Sequence, residues 1–243
     1  MKYFICSDIH SYYDEFINAL NESGYDKYNS NHKLIILGDY FDRGTKACSM
    51  RNFILDNNNV IYVRGNHDNR LLRIRDTKVF SNNDIYNGTA ETVRILSGLI
   101  FDNINEDEKR IISKFIKDNK NILNKIENMP YYKVIGDTLF IHGWWPKSGL
   151  KGSEKEWYRA AQCGSKKIVD EMIEGIPINP LPNNINNIVI GHYKATDFIG
   201  EIPKNNGVNL DLTRKIKVQG KTIYAIDGCT NKTGRVPILI MEI

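Results

Sequence analysis

The sequence lacks any apolar run long enough to cross a membrane, and its four cysteines are far apart. A membrane-spanning helix needs about 20 apolar residues, and the apolar part of MKYFICSDIH is also too short for a signal peptide. No CxxC pair is present, so the cysteines indicate neither a disulfide framework nor a thiolate metal site. We therefore expect a cytoplasmic protein with no membrane partner.

A large excess of one charge is also missing. The 33 Lys and Arg residues nearly balance the 29 Asp and Glu residues, which leaves a net charge of +4. Because the basic residues are scattered, we expect no nucleic-acid partner. The chain of 243 residues has an ordinary globular composition and contains no linker or internal repeat, so residues 1–243 are expected to form a single domain. The sequence leaves the oligomeric state open.

Short apolar runs recur along the chain, and their length and near-continuous hydrophobicity are typical of strands buried on both faces. These runs are KYFICS (2–7), KLIILG (33–38), NVIYVRG (59–65), DTLFIHG (137–143), NIVIGH (187–192) and KTIYAIDG (221–228). Helical patterns follow the early runs, and Ser11 with Asp14 resembles a capping box that would start the first helix. Residues 69–128 look mainly helical, with the clearest pattern beginning near Asn105, and the C-terminal third predicts hairpins or a meander. We therefore expect an α/β fold with a helical insertion around 69–128.

Histidine is scarce, yet four of the five histidines stand at or just beyond the end of an apolar run. A single histidine in such a place is more often structural, but ligand sites of α/β sheets gather at the carboxyl ends of strands. The four histidines are accompanied by further polar groups; together they are Asp8, His10, Asp39, Asp42, Asn66, His67, His142 and His192. Mixed imidazole and oxygen ligands favour divalent transition metals. Because there are more candidates than one metal needs, two metals sharing a bridging carboxylate are expected.

Five motifs then follow one another in a fixed order. They are Asp8-Ile9-His10, GDYFDRG (38–44), GNHD (65–68), HG (142–143) and GH (191–192). This series resembles that of the calcineurin-like metallophosphoesterases, and the DRG ending resembles their phosphoprotein phosphatase branch, in particular the bacterial and bacteriophage-type serine/threonine phosphatases. Further similar elements are Asn87-Gly88 with Thr92, Trp157 with Arg159, and Asp227-Gly228. The resemblance implies two mixed β-sheets packed as a sandwich with flanking helices.

The resemblance also implies a metal site. Its first metal would be held by Asp8, His10 and Asp39, and its second by the bridging Asp39 together with Asn66, His142 and His192. The cofactors would be two divalent metal ions, with Mn²⁺ expected first and Fe or Zn as alternatives. A water bridging the metals would attack phosphorus in line, so no phosphoenzyme is expected.

The same resemblance implies the residues that act on the substrate. His67 would be the general acid that protonates the leaving group, and Asp42 would orient it. Arg43 and Arg159 would hold the phosphate through their planar guanidinium groups, and Asn66 would contribute to phosphate binding. From its sequence context alone, Arg159 is equally a surface residue of a helix.

Substrate class is where the sequence leaves alternatives. We expect a protein serine/threonine phosphatase, although Asp68 stands where that branch usually has Glu. The Asp form is shared with diadenosine tetraphosphate hydrolases, so such a hydrolase, or one acting on another small phosphoester, is the alternative; Asp42 favours the phosphatase. A catalytically silent phosphate-binding domain is a lesser alternative, because every expected ligand is present. Trp144 and Trp145 would either pack in the core or form an aromatic wall beside the phosphate.

Overall fold

Two five-stranded β-sheets form the centre of the computed structural model, which describes residues 1–99, 108–177, 180–204 and 206–243. The first sheet contains β1 (Lys2–Cys6), β2 (His32–Leu37), β3 (Ile61–Val63), β7 (Gly207–Val208) and β10 (Ile238–Glu242). The second contains β4 (Tyr132–Ile135), β5 (Thr138–Ile141), β6 (Asn187–Lys194), β8 (Arg214–Val218) and β9 (Lys221–Asp227). All six strands predicted from apolar runs are present.

Helices cover the outer faces of the sheets. They are α1 (Tyr13–Glu22), α2 (Ala47–Asp56), α3 (Asn66–Thr77), α4 (Asn82–Asn87), α5 (Thr89–Ser97), α6 (Glu108–Asp118), α7 (Lys120–Glu127), α8 (Glu154–Ala160), α9 (Ser165–Ile173) and α10 (Thr230–Thr233). Three short 3₁₀ helices span Gly149–Lys151, Ala195–Asp197 and Leu210–Leu212. Across the described ranges, no helix combines the length and apolar character needed to span a membrane.

Both sheets are mixed, and each contains three adjacent parallel strands. In the first, with strand order β3-β2-β1-β10-β7, the strands β1, β2 and β3 are parallel, whereas β10 and β7 pair antiparallel. In the second, with order β4-β5-β6-β9-β8, β5, β6 and β9 are parallel and the edge strands β4 and β8 are antiparallel. Three parallel strands in each sheet therefore end at one edge, which is where α/β proteins place their ligand sites.

The side chains of β1 point alternately to the two faces of the first sheet, and their neighbours show how the sheets pack. Tyr3 and Ile5 lie in a core shared with Phe140 and Val189 of the second sheet. Phe4, between them, points the other way and packs with the helices that cover the first sheet. A strand with both faces buried must be apolar at every position, which explains the continuous apolar run YFIC (3–6). The predicted sandwich of two mixed sheets with flanking helices is confirmed.

The helical region after β3 also matches the prediction, but its clearest helical pattern belongs to two helices. That pattern breaks at the buried Asn119, whose side chain donates hydrogen bonds of 2.9 Å to Leu96 O and 3.0 Å to Phe115 O. Asn119 Oδ1 accepts a hydrogen bond of 3.0 Å from Arg51. An asparagine that satisfies backbone carbonyls in this way competes with helix continuation. The predicted start near Asn105 lies outside the described residues.

Two other local predictions were wrong or only partly right. Ser11 does not cap α1, because the cap is Tyr12 without a side-chain hydrogen bond. Ser11 instead has a positive φ of 60°, and its backbone N–H donates to Tyr40 O at 2.8 Å, so the loop after β2 fixes its conformation. In the C-terminal third, β8 and β9 form the expected hairpin, but β10 leaves for the first sheet and pairs with β1.

Candidate active site

Polar residues follow the parallel strands of both sheets and meet at one edge of the sandwich. Asp8 and His10 follow β1; Asp39, Asp42 and Arg43 follow β2; Asn66 and His67 follow β3; His142 follows β5; His192 lies in the last half of β6. Asn66 Oδ1 accepts hydrogen bonds of 2.9 Å from both His142 Nε2 and His192 Nδ1, which shows that the edges of the two sheets coincide. The structure therefore brings together, at one edge, the residues that the strand-end pattern had grouped.

Asp39 lies between two groups of imidazoles. Its Oδ2 is 3.7 Å from His10 Nε2 and 3.8 Å from His67 Nε2, and its Oδ1 is 3.3 Å from His142 Nε2. The nitrogen and oxygen atoms of Asp39, His142 and His192 that could bind a metal lie within 4.8 Å of one another, as do those of His10, Asp39 and His67. One carboxylate shared by two groups is the arrangement that a bridging ligand requires.

The histidines are oriented by the backbone. His10 Nδ1 donates to Phe41 O at 2.8 Å, and His142 Nδ1 donates to Leu37 O at 2.7 Å. Each bond leaves Nε2 facing the carboxylates, which is how histidine metal ligands are usually fixed. The donor set of buried carboxylates, imidazoles and one amide oxygen therefore fits divalent transition metals.

The pKa values of the two buried carboxylates Asp8 and Asp39 are shifted in opposite directions. Burial raises the pKa of Asp8 well above its usual range, and the nearby charge of Asp227 raises it further. Burial also opposes ionisation of Asp39, yet His142, His67 and His10 together hold the pKa of Asp39 well below its usual range. Both carboxylates are only 2% exposed. A divalent cation would supply the charge that allows both to ionise.

The imidazoles differ as well. Burial lowers the pKa of His10 to about 3 and, together with the charge of His142, lowers that of His192 to about 4, so both are neutral. The pKa of His142 is raised to about 10, because the charges of Asp39 and Asp8 outweigh its burial. Neutral imidazoles offer a lone pair to a metal, and His142 would release a proton when it binds one.

His67 is placed differently from the other histidines. Its Nδ1 donates to Asp42 Oδ2 at 2.6 Å, and its backbone N–H donates to Asp39 Oδ1 at 2.9 Å. Arg43 extends over the cluster, with Nη1 3.0 Å from His10 Nε2 and Nη2 3.5 Å from His67 Nε2. The loop after β2 therefore brings a carboxylate, an imidazole and a guanidinium to one place.

The backbone around these residues is held in sparsely populated conformations. Among the described residues, eleven other than glycine have positive φ, and seven of them belong to the site loops: Asp8, His10, Ser11, Asp39, Asp42, Arg43 and His192. For His192 the cause is an irregularity in the pairing of β6 with β9 between Ile190 and Lys194. Such strain persists only where the surrounding structure enforces it, and it concentrates at functional sites.

Asp68 holds two backbone segments of the site together. It is fully buried, and its carboxylate accepts backbone N–H groups from Gly65 at 2.7 Å, Asp39 at 3.0 Å and Tyr40 at 3.2 Å. In the sequence, Asp68 served only as a marker of substrate class. In the structure it ties the loop after β2 to the start of α3.

Asp227 is a second residue to which the sequence motifs assigned no role in the site. It ends β9, is buried, and lies close enough to Asp8 to raise the pKa of that carboxyl. Burial raises the pKa of Asp227 itself to about 6. The sequence feature that could have identified Asp227 is the one shared by the other site residues: it is a polar residue directly after an apolar run, here KTIYAI.

Arg159 and the tryptophan pair lie together beside the site. Trp144 and Trp145 stack with ring centroids 4.2 Å apart, and each is only 1% exposed, so their burial favours the packing alternative. Arg159 lines a cavity of about 460 Å³ with Trp144 and Lys147. Within the described ranges no hydrogen bond or ion pair joins Arg159 to the histidine cluster. Its role in phosphate binding stays a prediction.

Comparison with known families decides the classification. A family model described as calcineurin-like phosphoesterase matches residues 1–215. The chain belongs to the calcineurin-like phosphoesterase family. The resemblance inferred from the five motifs is therefore confirmed at the level of this family.

Two curated relatives of this calcineurin-like phosphoesterase are both named asymmetrical bis(5'-nucleosyl)-tetraphosphatase PrpE. The protein from Bacillus velezensis is 37% identical over 82 residues, which cover 30% of this chain and 33% of the relative. The Bacillus subtilis protein is 29% identical over 154 residues, or 58% of this chain and 57% of the relative. The matches thus span a third of one relative and just over half of the other.

Solved structures show the same fold. A protein serine/threonine phosphatase from Saccharomyces cerevisiae with similarity to human phosphatase PP5 has a TM-score of 0.51 at 17% identity, covering 93% of this chain and 67% of its own. A cold-active protein-tyrosine phosphatase from Shewanella has a TM-score of 0.53 at 16% identity, covering 99% and 75%. At these identities the likeness concerns the fold alone.

Proposed function

We propose that this calcineurin-like phosphoesterase is a dinuclear metal-dependent phosphomonoester hydrolase that acts on phosphoserine and phosphothreonine in proteins. The observation that carries the proposal is the buried hydrogen bond of 2.6 Å between His67 and Asp42, beside the shared carboxylate Asp39. It combines a candidate proton donor with candidate metal ligands in one site.

The proposed ligands form two sets that share Asp39. Asp8 and His10 would hold the first metal with Asp39, and Asn66, His142 and His192 would hold the second with the same carboxylate. When bound, the two ions, for which we propose Mn²⁺, would neutralise the phosphoryl oxygens and lower the pKa of water to make a nucleophile. The chain itself contributes the spacing of the ligands, which backbone carbonyls and strained loops hold in place.

Substrate binding is assigned to the cationic and amide groups at the edge of the cluster. Arg43 is exposed and lies over His10 and His67, so its planar guanidinium group is accessible and would hold two phosphate oxygens. Asn66 would add an amide contact. Arg159 is proposed as a more distant second contact, because it lines the neighbouring cavity.

His67 is the proposed catalytic acid, and Asp42 is its positioning residue. Because Nδ1–H is donated to Asp42, the proton to be transferred would be carried by Nε2, the nitrogen that faces Asp39 and Arg43. That proton would pass to the leaving-group oxygen as the bond from phosphorus to oxygen breaks.

The nature of the leaving group separates the candidate substrates. Serine and threonine leave as alkoxides, which are strong bases and need a proton, whereas a nucleotide leaves as a weakly basic phosphate. A buried acid pair is therefore most useful for phosphoserine and phosphothreonine. Diadenosine tetraphosphate is the second candidate, because both curated relatives bear the name of a bis(5'-nucleosyl)-tetraphosphatase.

A rate comparison tests the proposal. With Mn²⁺ present, we expect kcat/KM to be highest for a phosphoserine peptide, compared with a phosphotyrosine peptide and diadenosine tetraphosphate. EDTA or Asp39→Asn should abolish activity, and His67→Asn should lower it roughly 10²- to 10⁴-fold on the phosphoserine peptide. Full activity in EDTA would exclude the metal mechanism. Preference for diadenosine tetraphosphate would replace the phosphatase assignment with the second candidate.

A further inference from the structure

The first turn of α5 is hydrogen-bonded to the loop that carries Asp42 and Arg43. Thr89 is fully buried, and its hydroxyl donates a hydrogen bond of 2.6 Å to Asp42 Oδ2. Thr92, three residues later on the same helix face, accepts a hydrogen bond of 3.0 Å from the Asp42 backbone N–H. A Cβ at Gly88 would come within 2.8 Å of Arg43 N, so the helix start and the loop are in direct contact.

Thr89 shares its acceptor with His67. Asp42 Oδ2 receives both hydrogen bonds at 2.6 Å, whereas Asp42 Oδ1 is buried without a hydrogen-bond partner in the described part of the chain. The last torsion of an aspartate side chain has a broad energy well, so one bond to an imidazole does not fix the carboxylate plane. A second hydrogen-bond donor on the same oxygen, here the Thr89 hydroxyl, fixes this plane.

The backbone of Asp42 makes this support necessary. Its φ of 75° lies in the left-handed region, which is unfavourable for residues other than glycine. Such a conformation is kept only when neighbouring groups enforce it, and here the hydroxyls of Thr89 and Thr92 hold the side chain and the main chain of one residue. The first turn of α5 therefore controls where the carboxylate of Asp42 points.

We propose that Thr89 is a positioning residue for general-acid catalysis, which acts on His67 through Asp42. This inference rests on the proposed function of His67. In the step concerned, the bond from His67 Nε2 to hydrogen breaks, its electron pair stays on the imidazole, and the proton joins the leaving oxygen. Thr89 keeps its own proton throughout and contributes only the orientation of Asp42, and with it the direction of Nε2–H.

Aryl phosphates with different leaving groups test this role. Log kcat/KM is measured against the acidity of the leaving phenol, from phenyl phosphate to p-nitrophenyl phosphate, with Mn²⁺ present. Because a good leaving group needs little protonation, we expect Thr89→Val to cost about 10-fold on phenyl phosphate and about 2-fold on p-nitrophenyl phosphate. Thr89→Ser keeps the hydroxyl and should restore the wild-type slope.

Two further variants interpret the slopes. His67→Asn should show the steepest dependence, since it lacks the acid altogether. Thr138→Val removes a buried hydroxyl at the start of β5, at the far end of that strand from His142, and should leave the slope unchanged. An unchanged slope in His67→Asn would overturn the general-acid assignment and this inference with it. A steep slope in His67→Asn with a uniform loss in Thr89→Val would overturn the role of Thr89 alone.

Discussion

Asp68 offers the sharpest test of how the site loops are held. Its carboxylate accepts N–H groups from Gly65, Asp39 and Tyr40 at 2.7, 3.0 and 3.2 Å. In Asp68→Asn the amide oxygen replaces one carboxylate oxygen, but the amide nitrogen faces a backbone donor that it cannot satisfy. The variant should therefore lose stability and also loosen the backbone of Asp39.

The size of the effect follows from these contacts. One unpaired N–H costs about 1–3 kcal/mol, and the two remaining bonds lose the strength that a charged acceptor gives. Part of this is offset, because asparagine carries no buried charge; burial and the charge of Asp39 raise the pKa of Asp68 to about 7. We expect a net loss of about 2 kcal/mol, which lowers Tm by about 4–8 °C for a chain of this length.

Metal affinity is the second measurement. Residues that orient metal ligands typically change affinity or activity by roughly 10- to 100-fold when replaced, and we expect that loss of Mn²⁺ affinity in Asp68→Asn. Thermal unfolding in EDTA gives the stability, and calorimetric titration with Mn²⁺ gives the affinity.

The matched control is Asp84→Asn, since Asp84 is also buried, accepts the Ser81 N–H at 2.6 Å and pairs with Arg73. Asp84 lies on α4, and its replacement should lower Tm with unchanged Mn²⁺ affinity. If Asp68→Asn lowers Tm but keeps its Mn²⁺ affinity, as expected for Asp84→Asn, the positioning role of Asp68 is refuted. The role is also refuted if Asp68→Asn changes neither Tm nor Mn²⁺ affinity.

Two other predictions concern a glycine and the arginines. Gly38→Ala should lower the free energy of unfolding, measured in urea, by roughly 3 kcal/mol or more, because φ is 78° and a Cβ would approach Gly65 Cα to 2.5 Å. The control is Gly220→Ala, where φ is 72° but the space is open, and this variant should cost about 1–2 kcal/mol. Equal losses would refute the contact argument. Arg43→Ala should raise KM for p-nitrophenyl phosphate about 10-fold or more, and Arg159→Ala should raise it less. The reverse order in steady-state kinetics would make Arg159 the main phosphate contact.

Local sequence was sufficient for the strands and for the position of the site. YFIC (3–6) and LIIL (34–37) are apolar at every position because both faces of these strand segments are buried, so the pattern alone marks them as strands. The polar residues that follow could be grouped from their positions in the sequence, because parallel strands bring their carboxyl ends to one edge. The order of the motifs was enough to indicate the family.

Helix boundaries were less predictable, because a tertiary contact overrides a local preference. Asn119 interrupts a helical apolar pattern since it binds Leu96 O on another helix, and Ser11 fails to cap α1 since the loop after β2 fixes its backbone. Neither partner is visible from the surrounding sequence.

Charge and orientation within the site were decided by the tertiary structure alone. Asp8 and Asp39 are both aspartates at strand ends, yet their pKa values shift in opposite directions. Burial and the charge of Asp227 raise the pKa of Asp8, whereas three imidazoles outweigh the burial of Asp39 and lower its pKa. Thr89 reaches Asp42 across 47 residues of chain. The sequence by itself determined which chemical groups are present and at which edge they meet. Their distances and charges depend on contacts between distant segments, which form only when the two sheets pack together.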